Sequence, residues 1–305
     1  MDQDPRLLVR SEPAQSPTVV PLNEMPGLGV ESAGVGTVVP TVEGVERLLN
    51  EVAPPEPMPT IRRGGEVVVT LPAGYLDGSG VLHKTAQVRE LTGYDEEHLS
   101  HVDSMKNSGI FVTELLLHGV MEIGGEAPTR EVLRQLLIGD RDALTLGVRQ
   151  ATYGDEVEFT LICTECERES NVVVKLSEDV PIKKMDDPTA RLYQASLRSG
   201  EPVTLQLLNG AAQEGLSENY LKLTTAEVTT TMIAYSLVQI GERRILVHER
   251  NDVARSLSAA DRETLIEAIS GAQPGPQLGN PIVINCATCG KEHPLTLGLP
   301  NLFRM

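Results

Sequence analysis

The chain has 305 residues, of which 40% are hydrophobic, and its 26 basic and 43 acidic residues give a formal net charge of −17. This size and apolar content predict one or two domains around an aliphatic core, since the sequence has no tryptophan and only three phenylalanines. The charge and the scarcity of aromatic rings disfavour nucleic acid and anionic membranes as partners, which leaves other proteins.

Residues 1–60 are expected to form a proline-rich extended arm. They hold ten of the twenty prolines and show no helical or strand period that lasts beyond one turn. The stretch EVAPPEPMPT, residues 51–60, has the composition of a polyproline-like linker. Two interpretations remain open, namely a disordered tail and a segment that becomes ordered along the surface of a partner.

The N-terminus has no basic segment followed by an apolar run, so no signal peptide is predicted. The apolar stretches are also shorter than the roughly 20 residues of a membrane helix. We therefore expect a cytoplasmic product. In a reducing cytosol, paired cysteines are more often metal ligands or redox-active thiols than structural disulfides.

From residue 64 onward, the sequence predicts a duplicated unit. The stretch GGEVVVTLPAGYLDGSGVL, residues 64–82, runs from β-branched residues into a glycine-rich turn and predicts a hairpin. Residues 88–100 then align with residues 205–217 at an offset of 117 positions. The identities are Leu91 with Leu208, Gly93 with Gly210, Glu97 with Glu214, Leu99 with Leu216 and Ser100 with Ser217.

The alignment continues to the cysteines with small increases in offset. DRDAL, residues 140–144, matches DRETL, residues 261–265, at an offset of 121. Both segments continue as helices with one apolar face, and Ser258 and Asp261 resemble a capping box at the start of the second helix. At an offset of 123, Cys163 and Cys166 align with Cys286 and Cys289.

These patterns predict an α+β fold in which two α/β repeats each end in a CxxC β-hairpin. The expected boundaries are residues 1–60 for the arm, 61–187 for the first repeat and 188–305 for the second, with 180–202 joining the repeats. Alternating apolar residues follow each cysteine pair, as expected for the second strand of a hairpin. Each hairpin would supply half of a zinc ribbon.

The four cysteines of the chain are candidate ligands of one structural zinc ion, and they are Cys163, Cys166, Cys286 and Cys289. Four thiolates complete the tetrahedral shell of Zn²⁺ and leave no open position. Two such pairs are usually separated by about 15–20 residues, whereas 119 residues lie between Cys166 and Cys286. A duplication explains this spacing if the two copies pack so that their hairpins meet.

Three other interpretations of the cysteines remain open. They are a thioredoxin-like redox pair, two buried and inert pairs, and two separate zinc ions with additional ligands. Strand-like residues precede and follow each pair, whereas a redox-active pair needs a helix N-terminus to lower the thiol pKa. The sequence therefore favours a single structural zinc.

Histidines carry weaker signals. His293 follows the second cysteine pair and aligns with Ser170, so we expect a surface position on the hairpin. His98 and His101 share a helical turn with Glu97, but no third ligand group accompanies them at an informative spacing. A solvated polar face is the favoured interpretation of that turn.

Enzymatic motifs are absent from the sequence, which contains no GxxxxGK[ST], GxSxG or HExxH pattern. Asp140 and Asp142 in LIGDRD are two close carboxylates, and residues at the start of a helix explain them best. We expect a protein that is not an enzyme and has no small-molecule substrate.

The order of the motifs points to a known family. ATYG, residues 151–154, leads into the strand before the first CxxC, and a second CxxC precedes a C-terminus, LGLPNLFRM, that is rich in Leu, Pro and Phe. Over residues 64–305 the sequence resembles the baseplate hub assembly chaperones of T-even-type contractile bacteriophages, which are also encoded beside phage-like contractile injection systems.

This resemblance implies a non-enzymatic role at the centre of the tail baseplate, with hub, spike, tape measure or wedge components as partners. It also implies that the four cysteines bind zinc. The arm of residues 1–60 departs from the family pattern, and an arm suited to lying along neighbours fits a component that stays in the particle. We therefore expect a zinc-containing structural protein of the tail baseplate that is assembled in the host cytoplasm.

Two further functions remain open at this point, a transient assembly chaperone that leaves the mature particle and a zinc-ribbon adaptor for nucleic acid or transcription. The adaptor predicts basic residues around the cysteines. The hairpins instead carry Glu165, Glu167, Glu169 and Glu292 against Arg168 and Lys291.

Overall fold

The computed structural model describes residues 66–103, 107–218 and 222–303. These residues form helices and several small antiparallel sheets, which agrees with the predicted mixture of α and β structure. The arm predicted for residues 1–60 lies outside the described residues. Within the described ranges, no helix is both long enough and apolar enough to span a bilayer.

A first series of elements runs from residue 67 to residue 179. It opens with the hairpin that the sequence predicted, whose turn is held by Asp77 Oδ1 as it accepts the N–H groups of Ser79 and Val81. In chain order the elements are β1 (Val67–Leu76), β2 (Leu82–Val88), α1 (Gly93–Ser100), α2 (Ser108–Gly119), β3 (Val120–Ile123), α3 (Arg130–Gln135), α4 (Ile138–Tyr153), β4 (Glu156–Ile162), β5 (Glu169–Lys175) and α5 (Leu176–Asp179).

A second series runs from residue 182 to residue 302. Its elements are β6 (Ile182–Lys183), β7 (Leu192–Ser196), β8 (Pro202–Gln206), α6 (Gly210–Ser217), α7 (Thr225–Ser236), β9 (Leu237–Ile240), β10 (Arg243–Arg244), a 3₁₀ turn (Val247–Glu249), α8 (Arg250–Ser256), α9 (Ala259–Ala272), β11 (Gly275–Pro276), β12 (Ile282–Asn285), β13 (Glu292–Leu295) and α10 (Leu299–Leu302). The segment 180–202, for which the sequence predicted only a connection, therefore contains β6 and β7.

Two sheets share one strand order and one irregularity. The first has the order β1-β2-β3, and the second has β7-β8-β9 with β10 at its edge. A bulge interrupts the pairing at Gln87 and Val88 in the first sheet and at Thr204 and Leu205 in the second. The flanking pairs are Ala86–Ile123 and Val88–Val120 in the first sheet, and Val203–Ile240 and Leu205–Leu237 in the second. Each position differs from its counterpart by 117, the offset of the sequence alignment.

Side chains at the helix starts satisfy N–H groups that have no partner within the helix. The Asn107 side chain accepts the N–H of Ile110 at the start of α2, and Thr224 caps α7. At the start of α9, Ser258 Oγ accepts the N–H of Asp261 at 3.1 Å and donates to its carboxylate at 2.6 Å. The predicted cap at Ser258 is confirmed, and the Asp261 carboxylate contacts it through the Ser258 hydroxyl.

The described residues form two large apolar cores, the first built mainly from the first series and the second from residues 203–269 of the second series. In the first, α4 packs on the β1–β2 hairpin, and a Cβ at Gly147 would lie 2.3 Å from Val69 Cγ2, so only glycine permits this close approach. Fully buried residues of the first core include Val88, Leu115, Leu116, Leu144 and Val148, and those of the second include Val203, Leu205, Ile233, Leu265 and Ile269. Burial of each large aliphatic side chain contributes about 1.5–3 kcal/mol.

A buried arginine joins the two series. Arg141 on α4 is fully buried and donates to the carbonyl oxygens of Leu133 at 2.8 Å and Gly109 at 3.2 Å. It also donates to Thr113 Oγ1 at 2.9 Å and, through Nε, to Gln213 Oε1 on α6 at 2.7 Å. Burial lowers the pKa of Arg141 to about 10, so the guanidinium remains charged at neutral pH.

The C-terminal hairpin packs on the first core. Leu297, Leu302 and Phe303 belong to that core, and Ile282 and Ile284 pack against it. A narrow cleft between the two CxxC hairpins is lined by Phe159, Leu161, Ile284, His293 and Leu295. The chain after α9 therefore leaves the second core and brings β12 and β13 beside β4 and β5.

Candidate metal centre

Each cysteine pair lies in the turn of a two-stranded hairpin. Cys163 directly follows β4, and its N–H donates to Arg168 O at 3.0 Å, while Glu167 N–H donates back to Cys163 O at 2.9 Å. In the second hairpin, Cys286 N–H donates to Lys291 O at 2.8 Å, and the N–H of Gly290 donates to Cys286 O at 2.9 Å. The two turns therefore have the same hydrogen bonds at an offset of 123 residues.

Both turns need a left-handed residue directly after the second cysteine of the pair. Gly290 fills this position with φ of 72°, which costs glycine little. Glu167 fills it in the first hairpin with φ of 55° and is the one non-glycine residue of the described ranges with positive φ. A left-handed conformation in a residue with a Cβ atom costs on the order of 1 kcal/mol or more.

The four sulfurs converge. Cys163 Sγ lies 3.5 Å from Cys289 Sγ, and Cys166 Sγ lies 3.8 Å from Cys286 Sγ. All four Sγ atoms lie within 4.8 Å of one another, and all four cysteines are free thiols. Zinc–sulfur bonds of about 2.3 Å in a tetrahedron give sulfur–sulfur separations of about 3.8 Å. The donor set and its spacing therefore fit one metal ion.

Backbone N–H groups favour the thiolate, the form that binds metals, at the first cysteine of each pair, whereas burial and hydrogen bonds to neighbouring thiols raise the pKa of Cys166 and Cys289. The N–H groups of Cys289 and Thr288 lower the pKa of Cys286 to about 6. The N–H of Cys166, together with that of Glu165 at 3.4 Å, lowers the pKa of Cys163. Four sulfur ligands would leave no position for water or substrate, so this site suits a structural metal and not a catalytic one.

His293 occupies a different place from the one that the sequence predicted. Its side chain is buried at 4% exposure, and Nε2 lies 3.3 Å from Cys163 Sγ of the other hairpin. The expectation of a surface histidine is wrong because β13 turns this side chain inward, between the exposed Glu292 and Pro294. Strand alternation contained the signal, since His293 shares its parity with Leu295, which also faces the core.

The histidine turn of α1 is only partly as expected. His98 is exposed, and its nearest acidic partner is Glu114 on α2, at 3.7 Å, and not Glu97. His118, one helical turn after Glu114, completes a group whose potential ligand atoms lie within 4.8 Å of one another. That group does not include His101. Helix α2 supplies two of the three residues, which sequence spacing did not reveal, while Glu97, His98 and His101 are exposed, as expected for a solvated polar face.

Ion pairs account for this histidine group. Arg130 pairs with Glu114, and His118 Nδ1 lies 2.9 Å from Asp95 Oδ1. The two imidazole rings, of His98 and His118, have centroids 4.6 Å apart. Because the Arg130 guanidinium already pairs with the Glu114 carboxylate, a metal cation at the same carboxylate would be repelled. We therefore interpret the group as a polar network at the α1–α2 contact.

The carboxylates of LIGDRD lie in the first turns of α4, as predicted, but Asp140 does more than start a helix. Asp140 is fully buried, and its Oδ1 accepts the N–H of Ala73 at 2.8 Å and of Gly74 at 3.2 Å. It thereby satisfies the backbone of β1 where the pairing with β2 shifts register. Burial raises the pKa of Asp140, and it raises that of Asp142 to about 7.

Comparison with known proteins adds one match. A family model described as T4 bacteriophage base plate protein matches residues 81–304, which includes both CxxC hairpins. No curated protein and no solved structure is significantly similar to the chain.

Proposed function

Because the chain belongs to the T4 bacteriophage base plate protein family, we propose that it is a zinc-containing scaffold of the hub region of the phage tail baseplate. Membership of this family supports a structural role in the phage tail baseplate. The finer elements of the proposal are a non-enzymatic role, an internal duplication, one structural zinc and a location at the hub. The convergence of four cysteine sulfurs from two distant hairpins is the observation that carries the zinc scaffold.

The duplication is supported by the order and offsets of the elements. Residues 61–187 and 188–305 are the two proposed repeats, after an arm of residues 1–60. The offset is 117 from α1 to α6, from α2 to α7 and from β3 to β9, and it is 123 from α5 to α10. The bulges in the two three-stranded arrangements agree at the same offset.

The hydrogen bonds of an arginine that occurs in both repeats also support the duplication. Arg262 is the counterpart of Arg141, and it donates to the carbonyl oxygens of Ala226 at 2.6 Å and Ala254 at 3.5 Å. It also donates to Thr230 Oγ1 at 2.8 Å. These three acceptors correspond to Gly109, Leu133 and Thr113 of the first repeat. Helical periodicity alone does not require an identical network of three acceptors.

The zinc ligands proposed here are Cys163, Cys166, Cys286 and Cys289, with one Zn²⁺ in each chain. A zinc ion bound by all four thiolates would link the end of the second repeat to the first core, over which the C-terminal hairpin already lies. Structural zinc contributes on the order of 10 kcal/mol in small sites. The ion would thereby fix the surfaces that neighbouring hub, spike, tape measure or wedge proteins contact.

Zinc analysis of the purified chain tests the metal. We expect about one equivalent of zinc in the wild type and a large loss in Cys286→Ser, because one thiolate fewer leaves an incomplete shell. Thr288→Ala, in the same turn, is the matched control and should retain zinc, because it removes a hydroxyl and leaves all four thiolates in place. Redox-active pairs without metal would contradict the proposal.

Mass spectrometry of purified phage particles tests the location. A retained scaffold predicts the chain in a fixed ratio to other baseplate proteins, whereas a transient chaperone predicts its absence from mature particles. We also expect Cys286→Ser to stop baseplate assembly, because the C-terminal hairpin would no longer be fixed. Normal particles carrying Cys286→Ser would refute a role for zinc in assembly and leave the family assignment intact.

A further inference from the structure

The contact between the two proposed repeats is one-sided. Helix α6 of the second repeat packs across α2 and α3 of the first, and a face spaced i, i+3, i+4 and i+7 makes the contact. We call these four residues of α6 the donor face, because the second repeat contributes them to the contact. They are Gly210, Gln213, Glu214 and Ser217. We call the surface that it meets the receiving face, and its polar residues are Asn107, Thr113, Arg134 and Arg141.

Charged and polar bonds hold the donor face on the receiving face. Glu214 bridges the two, with Oε2 2.8 Å from Arg134 Nε and Oε1 accepting the Thr113 hydroxyl at 2.6 Å. Ser217 Oγ accepts the N–H of Gly109 at 2.9 Å and donates to Asn107 Oδ1 at 2.6 Å. The donor face is therefore bound through hydrogen bonds and ion pairs as well as shape.

The backbone adds two further bonds at the start of α6. The N–H of Gly210 donates to Leu136 O at 2.9 Å, and the N–H of Ile138 donates to Leu208 O at 3.0 Å. A Cβ at Gly210 would lie 2.6 Å from Arg141 Nη1, so this position needs glycine.

The first repeat carries the same donor face on α1, and there it is exposed. The counterparts of the four donor residues are Gly93, Glu96, Glu97 and Ser100, and all four are exposed to solvent. Glycine, glutamate and serine recur at three of these positions, although α1 makes no use of them for packing on the receiving face of its own repeat. Tyr94 beside them is 82% exposed, and exposed aromatic side chains are typical of protein interfaces.

The second repeat carries the same receiving face, and there most of it is open: Thr224 and Arg255 are exposed, whereas Thr230 is buried. Its polar residues are Thr224, Thr230, Arg255 and Arg262, at the positions of Asn107, Thr113, Arg134 and Arg141. The side chain of Arg255 is 67% exposed, and Arg262 is partly exposed, whereas Arg141 is fully buried under α6.

Charge matches the open receiving face to the exposed donor face. Arg255 and Arg262 would meet Glu97 and Glu96, as Arg134 and Arg141 meet Glu214 and Gln213 in the intact contact. Within its own helix, Arg255 has one weak ion pair with Asp252 at 3.5 Å, in the way that Arg134 has one with Glu131 at 3.3 Å.

We propose that the receiving face of the second repeat binds helix α1 of a second copy of this chain, in a head-to-tail contact that repeats the intrachain α6 contact between copies. This inference rests on the proposed correspondence of the repeats, and it needs neither the zinc nor the phage particle. Because the two faces differ, the contact is heterologous, and successive copies build a ring or an open chain.

One residue makes the contact between copies looser than the contact within the chain. A Cβ at Gly109 would lie 2.6 Å from Gln213 O and from Glu214 Cα, and the second repeat has Ala226 at this position. The incoming α1 must therefore sit roughly 1 Å further out than α6 does, if Cβ contacts are to reach ordinary van der Waals distances of about 3.5–4 Å. The long side chains of Arg255 and Glu97 can span that added distance.

Sedimentation velocity of the purified full chain, over a range of concentrations and salt, tests the proposal. We expect concentration-dependent association that weakens as ionic strength rises. Ala226→Gly should tighten it about tenfold, since the extra methyl group is removed. Arg255→Glu and Glu97→Arg should each weaken it at least tenfold, because each places like charges together.

Mixing the two charge variants gives the decisive measurement. Each variant alone brings like charges together, but in an equimolar mixture every contact between unlike copies pairs opposite charges, so association in alternating order should return. Glu126→Arg, an exposed site with the same charge change, is the matched control and should associate like the wild type. Thermal unfolding checks that the variants are folded.

Two outcomes would overturn the proposal. One is a wild type and an Ala226→Gly variant that both remain monomeric at every concentration. The other is association that Arg255→Glu and Glu97→Arg leave unchanged, which would place the interface elsewhere. Either outcome leaves the role in the tail baseplate untouched, because that role is tested on phage particles.

Discussion

At the scale of single residues, His293 and Ser170 occupy the same position in the two hairpins but have different surroundings. His293 Nε2 lies 3.3 Å from Cys163 Sγ, whereas Ser170 Oγ is buried and finds no partner among the described residues. A buried side chain that contacts a metal-ligand sulfur fixes that ligand and tunes its basicity. The pair therefore offers a matched test of the contact.

We expect His293→Ala to lower zinc affinity about 10–100-fold, the usual effect of losing a partner of a metal ligand. The measurement is competition for zinc with a chromophoric chelator. Ser170→Ala should leave the affinity unchanged, because its hydroxyl contacts no sulfur. Equal affinities of wild type and His293→Ala would show that the contact does not act on the metal.

Glu167 stores backbone strain that its counterpart Gly290 avoids. We expect Glu167→Gly to raise the free energy of unfolding of the zinc-loaded chain by about 1 kcal/mol, since φ is 55° at this position. Gly290→Ala should lower it by a similar amount, because φ is 72° there. Urea unfolding measures both, and a destabilised Glu167→Gly would assign the glutamate side chain a role that outweighs the strain.

The sequence showed which residues form the cysteine cluster but misplaced the residues around it. CxxC turns and the repeat offset were enough to predict that Cys163 and Cys286 meet, because spacing determines both features. The inward rotation of His293 depends on packing between hairpins that lie more than a hundred residues apart. Alternation along β13 held that information, and alignment with the unrelated side chain of Ser170 obscured it.

At the scale of the elements, Arg141 and Arg262 donate to three corresponding acceptors, but α6 buries Arg141 whereas Arg262 is partly exposed. We expect Arg141→Met to lower the free energy of unfolding by about 3 kcal/mol, since it leaves buried acceptors on α2, α3 and α6 without a donor. Arg262→Met should cost about 1 kcal/mol, because water reaches its partly exposed site. Urea unfolding of both variants checks this difference. Equal decreases in the free energy of unfolding would contradict the conclusion that burial by α6 makes Arg141 the more important residue.

Asp95 at the start of α1 links stability to pH. Although burial alone would raise the pKa of Asp95, the Arg89 guanidinium, with Thr92 and His118, holds it below its usual value. The ionised form therefore stabilises the fold above the unfolded-state pKa of about 3.9, and that contribution is lost as the pH falls below it.

We expect Asp95→Asn to lose about 2–3 kcal/mol of stability at pH 7 and to show a shallower loss below pH 4 than the wild type. Unfolding free energies measured from pH 2 to pH 7 check this. Asp186→Asn, at an exposed loop carboxylate, serves as control and should follow the wild-type profile. Parallel profiles for wild type and Asp95→Asn would assign the acid sensitivity to other groups.

Element types followed from the sequence where periodicity or capping was strong. The β1–β2 hairpin and the start of α9 at Ser258 are examples, since a turn or cap residue determines each one locally. Strand β7 was not predicted, because its five residues between two turns show no long period. Its place is determined by pairing with β8, which is a tertiary contact.

At the scale of the whole molecule, the C-terminal cysteine hairpin packs on one of the two cores and not on the other. The second core comprises residues between Val203 and Ile269, and none of the cysteines belongs to it. The C-terminal hairpin lies instead on the first core, through Leu297, Leu302 and Phe303. The sequence alignment assigned one hairpin to each proposed repeat, and it did not indicate which core the last hairpin would cover.

Removal of the proposed zinc ion should therefore increase the motion of one region and leave another unchanged. β12 and β13 form a two-stranded sheet of four-residue strands, and an isolated two-stranded hairpin is at best marginally stable. With chelator present, we expect amide hydrogen exchange to accelerate in residues 282–303 and in the first cysteine turn, while residues 203–269 keep their protection. Cys286→Ser without chelator should reproduce the pattern. Uniform acceleration across the second core would instead mean that zinc holds the whole chain together, because the loss of a local clamp cannot unprotect a core that it does not contact.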